Sequence, residues 1–150
     1  MQLIDLDLDD PRWPAVLPVL QELRPDLDAD ALAAVQAEGH PQGLRFLAAF
    51  VEDGGEGGVE DGGRCVGVAG WRIVATTVSG RTLHVDDLVT SSSVRSTGVG
   101  KALLGELERR ARAAGCGLLD LDSGVHRHGA HRFYLREHLH ISAHHFTKQL

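Results

Sequence analysis

The segment best suited to chemistry is a glycine-bearing turn, SVRSTGVGKALL, at residues 93–104. Gly98 and Gly100 allow close approach of the backbone to a ligand and φ values that other residues avoid. An amphipathic helix follows, and the free N–H groups and dipole at a helix start favour an anion. Arg95 can add a guanidinium to phosphate oxygens. The pattern predicts a cradle for a pyrophosphate held without a metal, against the alternative of an ordinary glycine turn before a surface helix.

Two other phosphate-binding motifs are incomplete in this segment. A Walker loop requires Gly, four residues, Gly, Lys and then Ser or Thr. Arg95 stands where its first glycine belongs, and Ala102 stands where its magnesium-binding hydroxyl belongs. The dinucleotide fingerprint Gly-x-Gly-x-x-Gly fails as well, because Leu103 takes the place of its third glycine. The sequence therefore disfavours an ATPase and a dehydrogenase.

The elements that must position this turn interleave along the chain without strict alternation. This order predicts a mixed sheet with helices on both faces. A flexible loop is predicted at residues 54–63, too short to separate domains. The predicted strands are Leu3–Leu8, Leu44–Val51, Cys65–Ala75, Leu83–Thr90, Leu118–Asp122 and Ile141–Leu150, and the predicted helices are Trp13–Leu23, Asp28–Glu38, one that follows the glycine turn and ends at Gly115, and Gly129–Glu137.

Composition and charge narrow the class of protein. The chain has 150 residues, 43% of them hydrophobic, and a net charge of −6. Residues 1–63 carry a net charge of −11 and residues 64–150 one of +5, which favours a cationic ligand near the first half unless that half is simply solvated surface. An acidic total disfavours nucleic-acid binding. No apolar run approaches the roughly 18 residues of a membrane span, and no signal peptide begins the chain, so we expect a cytoplasmic protein without a membrane segment.

Three segments in a fixed order resemble one known family. HVDDLVTSSSVRSTGVGKALL, GCGLLDLDSG and AHRFYLREHLHISAHHFTKQL are similar to the GCN5-related N-acetyltransferase (GNAT) family, whose signature is Arg/Gln-x-x-Gly-x-Gly/Ala after a strand. The likeness covers residues 64–150 well and residues 1–63 in outline. It implies a single acetyltransferase domain over residues 1–150. It also implies an α/β (mixed α+β) fold with a mixed, mostly antiparallel central sheet of about six to seven strands and helices on both faces.

The resemblance also implies acetyl-CoA as the co-substrate and assigns its binding residues. The backbone of Leu88, Val89 and Thr90 would pair with the pantetheine arm. At Arg127 the family often has Asn, so this position bears on a pantetheine or acceptor contact. The pyrophosphate would be held by the amides of the loop, with Arg95 and Lys101 assisting; the loop residues are Arg95, Ser96, Thr97, Gly98, Val99, Gly100 and Lys101.

Acetyl transfer to an amine needs acid and base groups, and the sequence offers candidates. Tyr134, the only tyrosine, would lie near the sulfur and protonate the leaving thiolate. Asp86 and Asp87 are adjacent on a predicted strand, so they should face opposite ways. Either could accept a proton through water or hold the ammonium, unless both are solvated or cap nearby backbone. His84 shares the predicted face of Asp86 and is the third base candidate, with a pKa nearer neutrality.

Seven of the nine histidines fall between residues 126 and 145, but their spacing is not typical of a metal site. The two cysteines, Cys65 and Cys116, form no Cys-x-x-Cys pair, so no metal is expected. The predicted function is transfer of the acetyl group of acetyl-CoA to a primary amine of a small molecule or peptide, by direct attack in a ternary complex. The alternative is a non-catalytic acyl-CoA-binding regulatory member of the same fold. A terminal edge strand could also pair two copies into a homodimer.

Overall fold

The computed structural model describes residues 1–52 and 63–150. The loop predicted at residues 54–63 lies, apart from Gly63, outside the described residues. The chain divides into two compact units, Met1–Asp120 and Leu121–Leu150. The single domain over residues 1–150 stays a prediction. Among the described residues, no helix is both long and apolar enough to cross a membrane.

A five-stranded sheet organises the first unit. Its strands follow the chain order β1-β2-β3-β4-β5, and the first four are antiparallel neighbours. The mixed, mostly antiparallel sheet predicted from the sequence is confirmed, with five strands in the described residues rather than six to seven. The strands are β1 Gln2–Leu6, β2 Arg45–Val51, β3 Arg64–Thr76, β4 Gly80–Thr90 and β5 Leu118–Leu121.

The direction of β5 follows from its contacts with β4. Gly117 donates its backbone N–H to the carbonyl of Arg81 at 2.9 Å. Three residues further along each strand, His84 Nδ1 lies 2.7 Å from Asp120 Oδ1. Both strands advance by three residues in the same direction between the two contacts, so β5 runs parallel to β4.

The described residues contain four α-helices, close to the predicted spans. They are α1 Trp13–Gln21, α2 Ala29–Gly39, α3 Val99–Ala113 and α4 His128–Arg136, and a short 3-10 turn spans Ser92–Val94. Helix α2 begins where its cap residue predicts, because Asp28 Oδ1 accepts a hydrogen bond from the N–H of Ala31 at 2.8 Å. Side-chain capping of this kind satisfies one of the orphan donors at a helix start.

The strand predicted over Ile141–Leu150 is wrong. The structure describes these residues without regular secondary structure, and their side chains are exposed. Ile141 and Phe146 are an odd number of residues apart, so a strand would place them on opposite faces. The segment therefore has no one-sided apolar face that would fix it against a sheet.

Both faces of the sheet are covered, which confirms the predicted layering. Helices α1 and α2 supply Val16, Val19, Leu20 and Leu32 to a core that also contains β-strand residues such as Phe46 and Val68. Helix α3 covers the other face with buried Leu103, Leu104, Leu107 and Ala111. It approaches so closely that a Cβ on Gly67 of β3 would lie 2.7 Å from Val99 Cγ1. The start of α3 is thereby fixed directly over the centre of the sheet.

Candidate active site

The glycine turn lies between the 3-10 turn and α3, as its sequence predicts. Residues Arg95 to Gly98 are exposed, whereas Val99, the first residue of α3, is buried. Ser96 and Gly98 have positive φ values of 66° and 94°. A Cβ on Gly98 would meet nothing within 4 Å, so its backbone conformation, not space, requires glycine here. The result is an exposed turn that leads into the first amides of a 15-residue helix, an arrangement that favours an anion.

A carboxylate at the C-cap of α1 anchors the 3-10 turn that precedes the glycine turn. Glu22 accepts hydrogen bonds from the N–H of Ser92 at 3.0 and 2.8 Å through its two oxygens. Its Oε2 also lies 3.7 Å from Arg95 Nη2. The sequence analysis missed Glu22, because its contact with the turn spans 70 residues of chain and no local pattern marks it.

The end of β4 that precedes the turn extends beyond β5. Strand β4 has eleven residues and β5 has four. With Gly117 bonded to Arg81, a parallel β5 of this length reaches only to the middle of β4. On its other side, β4 stays paired with β3 up to Thr90. Among the strands that the structure describes, β3 alone thus pairs with the segment Leu88–Thr90.

A bulge in the middle of β4 changes the direction of its acidic residues. On β3, Trp71 is opposite Val85 and Gly70 is opposite Asp87, so Asp86 is the extra residue. Asp87 lies over Gly70, whose hypothetical Cβ would be 3.5 Å from Asp87 Oδ2. Asp86 is bound by Arg72, two residues from Gly70 on the same face of β3. Both carboxylates therefore lie on the α1/α2 face, and the prediction that they face opposite ways is wrong.

Each of the two aspartates is paired with an arginine. Arg72 donates from Nε to Asp86 Oδ2 and approaches Asp86 Oδ1 with Nη2, both at 2.9 Å. Arg24, just beyond α1, donates from Nε to Asp87 Oδ1 at 3.0 Å, with Nη2 at 2.9 Å from the same oxygen. Neither aspartate presents a bare carboxylate, so each would have to share its charge with a guanidinium in any role as base.

The third base candidate has a different partner. His84 Nδ1 lies 2.7 Å from Asp120 Oδ1 across the β4–β5 junction, and the two side chains are 30% and 48% exposed. Sequence reasoning identified His84 but missed Asp120. The signal would have been the pairing of β4 with β5, since that pairing brings the two residues together.

Tyr134 and Arg127 belong to the second unit. Tyr134 lies on α4, where its ring centroid is 5.4 Å from that of Phe133. Burial raises the pKa of Tyr134 above its ordinary value, and the positive charge of Arg127 partly opposes this shift. A raised pKa keeps the phenol protonated, which is the form that donates a proton. Arg127 itself is the N-cap residue of α4.

The histidines of the second unit form separate pairs with other groups. His131 Nε2 lies 3.0 Å from the carbonyl of Gly124, and His145 Nδ1 lies 3.0 Å from Asp122 Oδ2. Within residues 1–52 and 63–150, no three His, Cys, Asp or Glu side chains converge in a group that could hold a metal ion. The absence of a functional metal stays a prediction.

Comparison with known proteins assigns the class. The model of the acetyltransferase (GNAT) family matches residues 13–138, and the chain belongs to this family. An uncharacterized N-acetyltransferase, YhdJ, of Bacillus subtilis (strain 168) is 33% identical over an alignment of 127 residues that covers 81% of this chain and 80% of that protein. These matches confirm the resemblance inferred from the sequence.

Two further relatives widen the comparison. The aminoalkylphosphonate N-acetyltransferase of Salmonella typhimurium (strain LT2) is 41% identical over 67 residues, or 45% of this chain and 44% of that one. The solved structure of an aminoglycoside N-acetyltransferase, AAC(6')-Iy, in complex with CoA has a TM-score of 0.80 at 16% identity, over 99% of this chain and 93% of that one. At that identity the last likeness concerns the fold alone.

Proposed function

We propose that this chain transfers the acetyl group of acetyl-CoA to a primary amine of a small molecule or peptide, by direct attack in a ternary complex. The observation that carries the proposal is the exposed turn from Arg95 to Gly98 at the start of α3. It is continuous in sequence with the extended end of β4, which pairs with β3 as far as Thr90 and reaches beyond β5. A pyrophosphate cradle beside an open strand edge suits a cofactor that has a diphosphate and an amide-bearing arm.

The loop would hold the pyrophosphate mainly through backbone N–H groups. The residues proposed for this are Ser96, Thr97, Gly98, Val99 and Gly100, with the side chains of Arg95 and Lys101 adding positive charge. That the AAC(6')-Iy structure contains CoA supports the choice of cofactor for this fold. In this proposal no metal is needed, because the backbone N–H groups of the loop and the side chains of Arg95 and Lys101 balance the negative charge of the pyrophosphate.

The pantetheine arm would lie along the end of β4. Its amide groups can pair with the backbone of Leu88, Val89 and Thr90 in the manner of an added strand. Such pairing would bring the thioester to the bulge at Asp86. A backbone N–H near Val89 would then stabilise the oxyanion that forms on the thioester carbonyl.

The reaction requires a neutral amine and a protonated leaving group. An unperturbed alkylammonium has a pKa of about 10.4, so a base must remove its proton at neutral pH. Asp86, Asp87 and His84 are the proposed candidates for this step. Tyr134 is proposed to protonate the CoA thiolate, and the raised pKa of its phenol supports that role. Arg127 is proposed to contact the cofactor or the acceptor.

The relatives do not narrow the acceptor to one kind of amine. They include an aminoalkylphosphonate acetyltransferase and an aminoglycoside acetyltransferase, which share only an amine as acceptor.

We further propose a cytoplasmic location. A homodimer is a separate proposal, as the exposed tail residues Ile141 and Phe146 offer apolar surface to a second copy.

One observation favours a second candidate function. Since arginines pair with both Asp86 and Asp87, the chain could bind acyl-CoA without turning it over, as a regulatory member of the fold. The two functions agree on the cofactor and differ only in release of CoA thiol. An assay of thiol release therefore separates them.

The test of the cofactor is thermal unfolding with acetyl-CoA, with CoA and with ATP plus magnesium. A ligand at a hundred times its dissociation constant adds about 2.7 kcal/mol to the free energy of unfolding. We expect a rise in Tm with both coenzyme forms and none with ATP. No rise with either coenzyme form would contradict both candidate functions, and a rise with ATP alone would restore a nucleotide site.

A further inference from the structure

We propose that His84 is the general base of the transfer and that Asp120 is the positioning residue that orients it; this rests on the proposed acetyl transfer. The two side chains meet at 2.7 Å between Nδ1 and Oδ1. Both belong to the first unit, in neighbouring strands of the same sheet. The sequence offers three base candidates, and Asp120 is not one of them.

The pairing determines which nitrogen of His84 can react. A carboxylate only accepts hydrogen bonds, so Nδ1 must carry the proton that it shares with Asp120. In the neutral ring the lone pair then belongs to Nε2, which becomes the basic atom. Asp120 also stabilises the imidazolium that forms when Nε2 takes up a proton. A carboxylate has the same two effects on the histidine of a catalytic triad.

The position of the pair suits proton removal from an acceptor. His84 is two residues before the bulge at Asp86, on the part of β4 that still contacts β5. The pantetheine arm is proposed to approach from Thr90, so the thioester and an incoming amine would meet between the bulge and His84. His84 is 30% exposed, which leaves its ring accessible to an amine directly or through one water.

The charged groups around His84 leave it as the most available base. On β3 its register partner is Arg72, whose guanidinium is already bound to Asp86. Beyond the bulge, Asp87 is bound to Arg24. Both aspartates are thus already engaged by guanidinium groups. The partner of His84 is instead a carboxylate, which contacts Nδ1 of the ring.

The proposed step balances as follows. An ammonium proton of the acceptor moves to Nε2 of His84, and the lone pair released on nitrogen forms the N–C bond with the thioester carbonyl. The tetrahedral intermediate collapses with cleavage of the C–S bond, and the thiolate takes a proton from the general acid. The second proton lost from the nitrogen re-protonates that acid, and His84 returns its proton to water. The products are the N-acetylated amine, CoA thiol and one proton.

Three variants test the pair: His84→Gln, Asp120→Asn and, as a matched control, Glu108→Gln, an acid on α3 whose partner is Arg112. We expect H84Q to lower kcat/KM by about 100-fold or more. D120N should lower kcat/KM by about tenfold or more, because the ring loses the carboxylate that orients it. E108Q should match the wild type, and the Kd of acetyl-CoA should be the same in all four proteins.

A second readout does not depend on turnover. Nitrogen NMR of the His84 ring should report the Nδ1–H tautomer in the wild type and a mixture of tautomers in D120N. The proposal fails if H84Q retains the rate of the wild type, or if the His84 ring of D120N keeps the tautomer of the wild type. If the wild type binds acetyl-CoA but acetylates no amine, the proposed function itself fails, an outcome distinct from loss of the pair alone.

Discussion

Glu22 Oε2 lies 3.7 Å from Nη2 of Arg95, so an acid accompanies the guanidinium proposed to bind the pyrophosphate. The same carboxylate accepts both hydrogen bonds from the N–H of Ser92. Glu22 therefore has two opposed effects: it fixes the turn that precedes the loop, and it adds negative charge where a diphosphate would bind.

Replacement of Glu22 by Gln separates these two effects. The amide oxygen of Gln can still accept from Ser92, whereas the negative charge is lost. We expect CoA to bind more tightly, by up to about fivefold, because an exposed ion pair contributes at most about 1 kcal/mol. Calorimetric titration at low and high salt measures this, with Glu38→Gln on the exposed surface of α2 as the control. Weaker CoA binding in E22Q would show that anchoring outweighs charge.

Substitution of Gly98 by Ala tests the loop. Its φ of 94° costs an L-residue about 1 kcal/mol or more. Gly115 at φ 69° provides a matched control, since a Cβ at either position meets no neighbour within 4 Å. We expect G98A and G115A to lower the free energy of unfolding by similar amounts in urea denaturation. Only G98A should also weaken CoA binding, and equal CoA affinity in the two variants would argue against the loop as the cradle.

Gly67 tests the contact that positions α3. A Cβ there would lie 2.7 Å from Val99 Cγ1 and 3.0 Å from Leu103 Cδ1. We expect Gly67→Ala to reduce the free energy of unfolding by about 1–3 kcal/mol, the usual cost of overpacking. Gly105→Ala, inside α3 with no neighbour within 4 Å, should instead stabilise the protein by up to about 1 kcal/mol. Chemical denaturation measures the free energy of unfolding of both variants. A G67A variant as stable as the wild type would contradict the close packing of α3 on β3.

Replacement of Tyr134 tests its proposed role as the general acid that protonates the CoA thiolate. Because burial raises the pKa of its phenol, the acid form persists in the folded protein to a pH above the ordinary tyrosine value. If Tyr134 donates the proton, kcat should fall only as pH rises through that raised pKa. Tyr134→Phe should lower kcat by about 100-fold and remove this alkaline limb while the Kd of acetyl-CoA stays unchanged. Phe133→Leu is the control for loss of ring packing, and a Y134F variant with wild-type kcat would exclude the role.

The raised pKa has a parallel consequence for stability. In the unfolded chain the phenol ionises at its lower, ordinary pKa. The contribution of Tyr134 to stability is therefore complete below that value and is lost as pH rises towards the folded pKa. Thermal unfolding between neutral and strongly alkaline pH should show this loss in the wild type and not in Y134F.

Local patterns were sufficient to predict most of the scaffold. Gly98 marks the loop because backbone conformation is a local property and its φ is positive, whereas Gly100 lies inside α3 without a positive φ. The cap at Asp28 likewise acts within one helical turn. The strand predicted at Ile141–Leu150 is wrong because propensity alone does not supply the one-sided apolar face that packing needs.

The surroundings of the candidate base residues could not be predicted in the same way. The bulge at Asp86 depends on register with β3, and it reverses the expected direction of one aspartate. Glu22, Arg24, Arg72 and Asp120 reach their partners through tertiary contacts, which sequence spacing does not encode. The residues of the site were thus partly predictable, whereas their charge partners were not.

The most direct test of the account is incubation of the wild-type chain with acetyl-CoA and a panel of primary amines. The panel includes aminoalkylphosphonates, aminoglycosides and peptides with a free amino terminus. Acetylated amine is measured by mass spectrometry, and released CoA thiol is measured in parallel. The account predicts equal amounts of the two products for at least one amine class, with the yield strongly reduced in H84Q. Binding of acetyl-CoA without acetylated product from any amine would contradict it and leave the regulatory alternative.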